Sequence, residues 1–99
     1  MKIIAITGMD LTYLQDHLPK DLQEKVSFQW FRETDEAIDF VEDADAIVTT
    51  GRMHPKITAK AAKLKWVQTL SAGVDKLPLK EFAERNIILT NARGYIPYK

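Results

Sequence analysis

The chain predicts an α/β fold, a parallel sheet wound on both faces by helices. Three observations predict it. Five short apolar runs, none longer than a strand needs, recur along the 99 residues. Segments of helical periodicity separate them. No internal repeat, low-complexity tract or linker interrupts the alternation.

The first run, Lys2 to Thr7, is centred on Ile3-Ile4-Ala5-Ile6. Gly8-Met9-Asp10 turns the chain, and Asp10 is a good N-cap for a helix striped by Leu11, Leu14 and Leu18. Pro19 ends or interrupts that helix. Val26 to Phe31 is an aromatic-rich second strand. Thr34 is expected to cap a second helix, with Asp35 and Glu36 in the first turn, where the backbone dipole favours acids. Its inward side is Ala37, Ile38 and Val41. Ala44 to Thr49 is a short third strand.

After the loop Thr50 to Pro55, Thr58 is expected to open a third helix, with Ala61, Ala62 and Leu64 inward and Lys60 and Lys63 outward. Trp66 to Leu70 is the fourth strand. Pro78 begins a fourth helix presenting Leu79, Phe82 and Ala83, and Asn86 suits the left-handed residue that closes it. Ile87 to Thr90 is the fifth strand. Short apolar strands alternating with helices imply a sheet buried on both sides, with right-handed crossovers. The expected strand order is 2-1-3-4-5, the flavodoxin-like arrangement. A fifth helix, usual in such a sheet, is missing or replaced, so part of one face is under-covered.

Composition bounds the function. Ninety-nine residues make one domain. Formal net charge is zero, which argues against a nucleic-acid surface. The zero hides an asymmetry. Residues 1–50 hold 4 basic and 11 acidic side chains, a charge of −7, and residues 51–99 hold 10 and 3, a charge of +7. This pattern fits solvated faces of opposite sign, or a dipolar molecule whose edges attract between copies. Self-association is the expectation, helped by the under-covered face. The apolar run at the N-terminus is too short for a signal peptide or a membrane span. The chain has no cysteine, compatible with a cytoplasmic location.

The chemistry is expected at the carboxyl ends of the strands, where open α/β sheets bind ligands. Ser71-Ala72-Gly73-Val74 comes directly after the fourth strand. Small residues there let backbone approach a ligand, and consecutive N–H groups form an anion-sized notch. Gly51, Arg52 and Met53 come after the third strand. Arg52 either neutralises an acidic ligand group or is a solvated loop residue, and Met53 is equally a packing residue. His17 and His54 lack partners at catalytic or metal spacing and read as surface residues. No G-x-G-x-x-G succeeds a strand, so no dinucleotide site is expected in this chain. A phosphoacceptor receiver is disfavoured because the third strand ends in Thr49-Thr50 rather than an acid. A flavin module is disfavoured by the short, hydroxyl-poor Gly8-Met9-Asp10 turn.

Leu64 to Leu77, succeeded at matching spacing by Ile87-Ile88-Leu89-Thr90-Asn91-Ala92-Arg93-Gly94, resembles the first domain of the D-isomer-specific 2-hydroxyacid dehydrogenases. The resemblance runs from the first strand to Gly94. It implies the flavodoxin-like fold, and it implies that the N–H groups of the Ser71–Val74 turn hold the carboxylate of a small 2-oxo or 2-hydroxy acid. It puts Gly51, Arg52 and Met53 on the pocket wall and makes Asn91, Arg93 and Gly94 a hinge toward a cofactor domain. The family's catalytic Arg, Glu and His belong to that nucleotide-binding domain, as does its NAD or NADP. None is carried onto these residues. The expectation is a single substrate-binding half, residues 1–99, inactive alone. A non-enzymatic flavodoxin-like folding or association module, excised or engineered, is the alternative.

Overall fold

The computed structural model describes residues 1–8, 20–70, 73–91 and 94–95, with backbone alone for Leu22, Gln23 and Tyr95. Six strands form one sheet. They are β1 (Lys2–Ile6), β2 (Ser27–Phe31), β3 (Ala46–Thr49), β4 (Trp66–Thr69), β5 (Ile88–Asn91) and β6 (Gly94–Tyr95). Their order is β2-β1-β3-β4-β5-β6. The first five are parallel in the expected 2-1-3-4-5 order, with Ile4 opposite Gln29 and Ile47, and Val67 opposite Ile47 and Leu89. Beyond β5, where the sequence implied a missing or replaced helix, β6 returns antiparallel, Asn91 facing Gly94. Gly94 makes this return at φ 114°, which an L side chain rarely adopts.

Among the described residues four helices connect the parallel strands: α1 (Lys20–Lys25), α2 (Thr34–Ala37, continued by a 3₁₀ turn Ile38–Phe40), α3 (Pro55–Lys60) and α4 (Leu79–Glu84). One sheet face, Ile4, Ile47, Val67 and Leu89, is fully buried against Ala37 and Val41 around α2, Ile57 and Ala61 at α3, and Phe82 on α4. Each of these large side chains contributes about 1.5–3 kcal/mol by leaving water. Right-handed crossovers put α1, between β1 and β2, on the opposite face. On that face Ala5 and Ala46 are buried. Farther along, Trp66, Gln68 and Thr90 are half-buried, and Ile88 is 49% exposed. Among the described residues the under-covered part of the sheet is therefore the outward face of β4 and β5.

Two helix starts differ from the sequence reading. Glu33, not Thr34, is the N-cap of α2, because Glu33 and Glu36 form a reciprocal capping box. Helix α3 starts at Pro55 rather than Thr58. His54 caps it, its Nδ1 accepting from the Lys56 N–H at 3.1 Å, and proline at the first helical position has no N–H to satisfy. Ala62, expected inward, is exposed because α3 has already ended at Lys60. Asn86 is left-handed at φ 55°, as expected. The stripe Leu11, Leu14 and Leu18 with its cap Asp10, and His17, lie outside the described residues. Helix α1 begins directly after Pro19.

Ion pairs tie the acidic first half to the basic second half. Lys56 Nζ lies 2.9 Å from Asp35, and Lys60 Nζ 3.4 Å from Asp39, joining α3 to α2 and its 3₁₀ turn. The hydrogen bond and charge of Lys56 hold the Asp35 carboxyl below the usual carboxylate range. The hydrogen bond from Lys2 does the same for Asp43.

Candidate functional site at the carboxyl edge of the sheet

The parallel sheet brings the ends of β1, β2 and β3 to one edge, and short local bonds shape the loops that leave them. After β3, the Thr49 hydroxyl donates to the Arg52 carbonyl at 2.5 Å, closing the turn Thr49 to Arg52. Gly51 sits inside that turn at φ 83°, where a Cβ would be strained. Thr7, after β1, shares a hydroxyl–hydroxyl bond with Thr50. The backbone of Arg52 pairs in parallel with that of Lys76, so the loop after β3 is strapped to the segment after β4. Met53 is 8% exposed and belongs to the core cluster, anchoring the loop from beneath.

A second set of bonds fixes the end of β2. Trp30 donates its indole N–H to the Thr7 carbonyl at 3.0 Å. The Arg32 guanidinium then lies over the Trp30 ring, 5.3 Å from its centroid, a cation–π distance. This contact places the exposed Arg32 guanidinium at the edge, beside the Thr7 end of β1.

Two adjoining clefts result. The outer one, about 560 Å³, is lined by Thr7, Gly8, Arg32, Arg52, Met53 and Lys76, among others. The inner one, about 550 Å³, shares Thr7, Gly8, Thr50, Arg52 and Lys76 with it and reaches Gly51, Gly73 and Asp75. Both have the size of small-molecule sites. The outer cleft carries three cations, Arg32, Arg52 and Lys76, against one carboxylate, Glu33. Glu33 is occupied in the capping box of α2. Among the described residues no carboxylate lies within ion-pair distance of Arg32, Arg52 or Lys76. Such an edge attracts anions.

Of the residues expected from sequence, Gly51, Arg52 and Gly73 meet at the inner cleft, and Met53 lines the outer one. Val74 is half-buried and packs against the core, its carbonyl accepting from the Leu77 N–H at 3.0 Å. Ser71 and Ala72 lie outside the described residues, and so does Arg93. Asn91 and Gly94 are elsewhere, in the antiparallel return of β5 into β6. Sequence reasoning missed Thr7, Arg32 and Lys76. The available signal was position: Arg32 comes directly after the aromatic end of β2, and Thr7 directly after β1.

The turn after β1, where the first phosphate loop of a dinucleotide site belongs, offers the one glycine Gly8 and lacks the G-x-G-x-x-G pattern. These residues do not fit a dinucleotide. Among the described residues no group of three or more His, Cys, Asp or Glu gathers to hold a metal ion. No helix among them is long and apolar enough to cross a membrane.

Comparison with known proteins sharpens this. The family model described as D-isomer specific 2-hydroxyacid dehydrogenase, catalytic domain, matches residues 3–99. No curated protein matches the chain. Among solved structures it is similar to a D-isomer specific 2-hydroxyacid dehydrogenase family protein from Aeromonas salmonicida subsp. salmonicida A449, with 25% identity and a TM-score of 0.71, over 94% of this chain and 29% of that one. An NAD-dependent formate dehydrogenase from Staphylococcus aureus, solved with NAD, gives 19% identity and a TM-score of 0.73, over 92% of this chain and 32% of that one. A 3-phosphoglycerate dehydrogenase from Entamoeba histolytica, solved with NAD+, gives 21% identity and a TM-score of 0.70, over 92% and 32%. The last two similarities concern the fold. The chain thus spans about a third of the length of the structures it matches.

Proposed function

The chain belongs to the D-isomer-specific 2-hydroxyacid dehydrogenase family, and from that premise we propose that it is the substrate-binding half of an oxidoreductase acting between small 2-oxo and 2-hydroxy acids. The observation that carries this reading is the strapped pair of loops after β3 and β4. Together they bring Gly51, Arg52, Gly73 and Lys76 to one cleft, where two cations stand against the single carboxylate of Asp75.

The chemistry present sets the division of labour. A carboxylate is planar and rich in acceptors, so main-chain N–H groups at a small-residue turn and a nearby guanidinium match it. In this reading the main-chain donors come from Gly73 and Val74, with Ser71 and Ala72 before them in the sequence. Arg52, presented by the tight Thr49–Arg52 turn, supplies charge. Holding the acid group leaves the adjacent carbonyl carbon in a fixed position. A nicotinamide held by another part of the parent enzyme would supply the hydride, and none of the described residues is assigned to hold it. This chain binds and orients the acid and is inactive by itself.

The test is a titration of the 99-residue chain with pyruvate, glyoxylate and hydroxypyruvate, monitored by amide NMR. Gly51, Gly73 and Val74 are expected to shift together, and mixing with NADH is expected to give no oxidation above background. Unmoved Gly73 and Val74 signals at millimolar acid would overturn the binding role. Turnover proportional to protein concentration would overturn the division of labour.

A further inference from the structure

The outer cleft is wider than a single carboxylate requires, and one of its three cations, Arg32, is not used by the reading above. We propose that the acid bound here carries a second negative group at its far end, held by Arg32. The inference rests on the proposed function and names the substrate class of the same site: a 2-oxo acid with a terminal carboxylate or phosphate.

Four observations support it. First, the two clefts adjoin in a definite order. Gly73 lines the inner one alone, Arg32 the outer one alone, and Arg52 and Lys76 line both. A ligand whose first carboxylate sits at the Gly73 turn therefore extends past Arg52 toward Arg32. Second, Arg32 is biased toward the cleft by a ring contact. Its guanidinium lies over Trp30, whose indole N–H is bonded to the Thr7 carbonyl, so less side-chain freedom remains to be lost on binding. Third, its charge is free. Among the described residues no carboxylate pairs with Arg32. The carboxylate nearest in sequence, Glu33, is engaged at the start of α2. Fourth, a guanidinium offers a planar fork of donors that fits carboxylate or phosphate oxygens in pairs.

The experiment compares ligands of equal length and different charge on the 99-residue chain by calorimetry, with amide and indole NMR to locate the site. The probes are 2-oxoglutarate, its monoanionic counterpart 2-oxopentanoate, and a phosphorylated 2-oxo acid. Either acid with a charged far end is expected to bind about tenfold or more tightly than the monoanion. That ratio is expected to shrink as salt rises to about 0.5 M. The Trp30 indole signal is expected to move with those two acids only. Arg32→Met should collapse the ratio, and Arg32→Lys should keep part of it. Whichever of the two binds more tightly at high salt, where the extra charge of the phosphate is screened, identifies the terminal group as carboxylate or phosphate.

Equal affinities for the monoanion and the acids with a charged far end would overturn the inference while Gly73 and Val74 still respond, leaving the proposed function standing. Equal weakening of both ligands by Arg32→Met would also overturn it. Silence at Gly73 and Val74 with every acid would overturn both.

Discussion

Arg85 shows how one side chain joins two elements. It closes α4, and its guanidinium donates to the carbonyls of Thr58 at 2.8 Å and Ala61 at 2.5 Å, at the end of α3. Those carbonyls have few intrahelical partners left, and a cation there also opposes the helix dipole. Glu81, one turn back, sits 3.5 Å from the same guanidinium. Arg85→Met keeps the apolar stem and removes the donors. It should cost about 1.5–3 kcal/mol, the range for hydrogen bonds to a charged group, read as a lower urea midpoint with an unchanged slope. The sequence could not show this contact, because it spans 24 and 27 residues. It did show Asn86, whose left-handed conformation is a local preference. The helix starts at Glu33 and His54 were hidden for a related reason. Thr34 and Thr58 are better caps by residue type, yet the capping box and Pro55 decided where the helices begin.

At the scale of elements, α2 and α3 face each other through pairs one helical turn apart: Asp35 with Lys56, and Asp39 with Lys60. All four side chains are well exposed, so each pair is weak and sensitive to salt. The effect of the first pair is legible in pH. The Asp35 carboxyl titrates lower in the folded chain than in the unfolded one, because Lys56 bonds to its charged form. Between those two values the unfolded chain binds more protons, so stability rises with pH. The contribution is complete above about pH 4 and is lost as pH falls through the lowered folded value. Asp35→Asn should therefore flatten the acid limb of a plot of urea midpoint against pH, leaving the same limb due to Asp43. An unchanged limb would show that the Lys56–Asp35 pair does not persist in solution. The strands were legible because each is a short apolar run in a parallel sheet. The cleft was legible only in part. Gly51 and Gly73 announce themselves by type, whereas Arg32 joins the site through the β1–β2 register, which sets Ala5 beside Trp30.

For the whole molecule the question is what covers the outward face of β4 and β5. A fifth right-handed crossover would run over this face, but the described chain instead turns back beside β5 as the edge strand β6. Trp66, Leu70 and Ile88 remain on it, Leu70 at 38% and Ile88 at 49% exposure. The polar residues between them are already satisfied, Trp66 donating to the Thr90 hydroxyl at 2.6 Å and Thr90 to Gln68 at 2.5 Å. Apolar surface next to self-satisfied polar groups loses little on being covered. A second copy fits by charge as well, since each chain has a −7 half and a +7 half. The internal pairs of α2 with α3 use only part of that difference. The expectation is that the 99-residue chain self-associates through this face, with a sedimentation mass that rises with concentration. Ile88→Lys should leave the fold intact, because the side chain points away from the core formed by Ile87 and Leu89, and should return the chain to monomer. Added salt separates the two forces: loss of the dimer at about 0.5 M would assign it to charge, and persistence there to the apolar face. A constant monomer mass across the accessible concentrations would mean that Trp66 and Ile88 tolerate water, and that the uncovered face does not drive assembly in this chain.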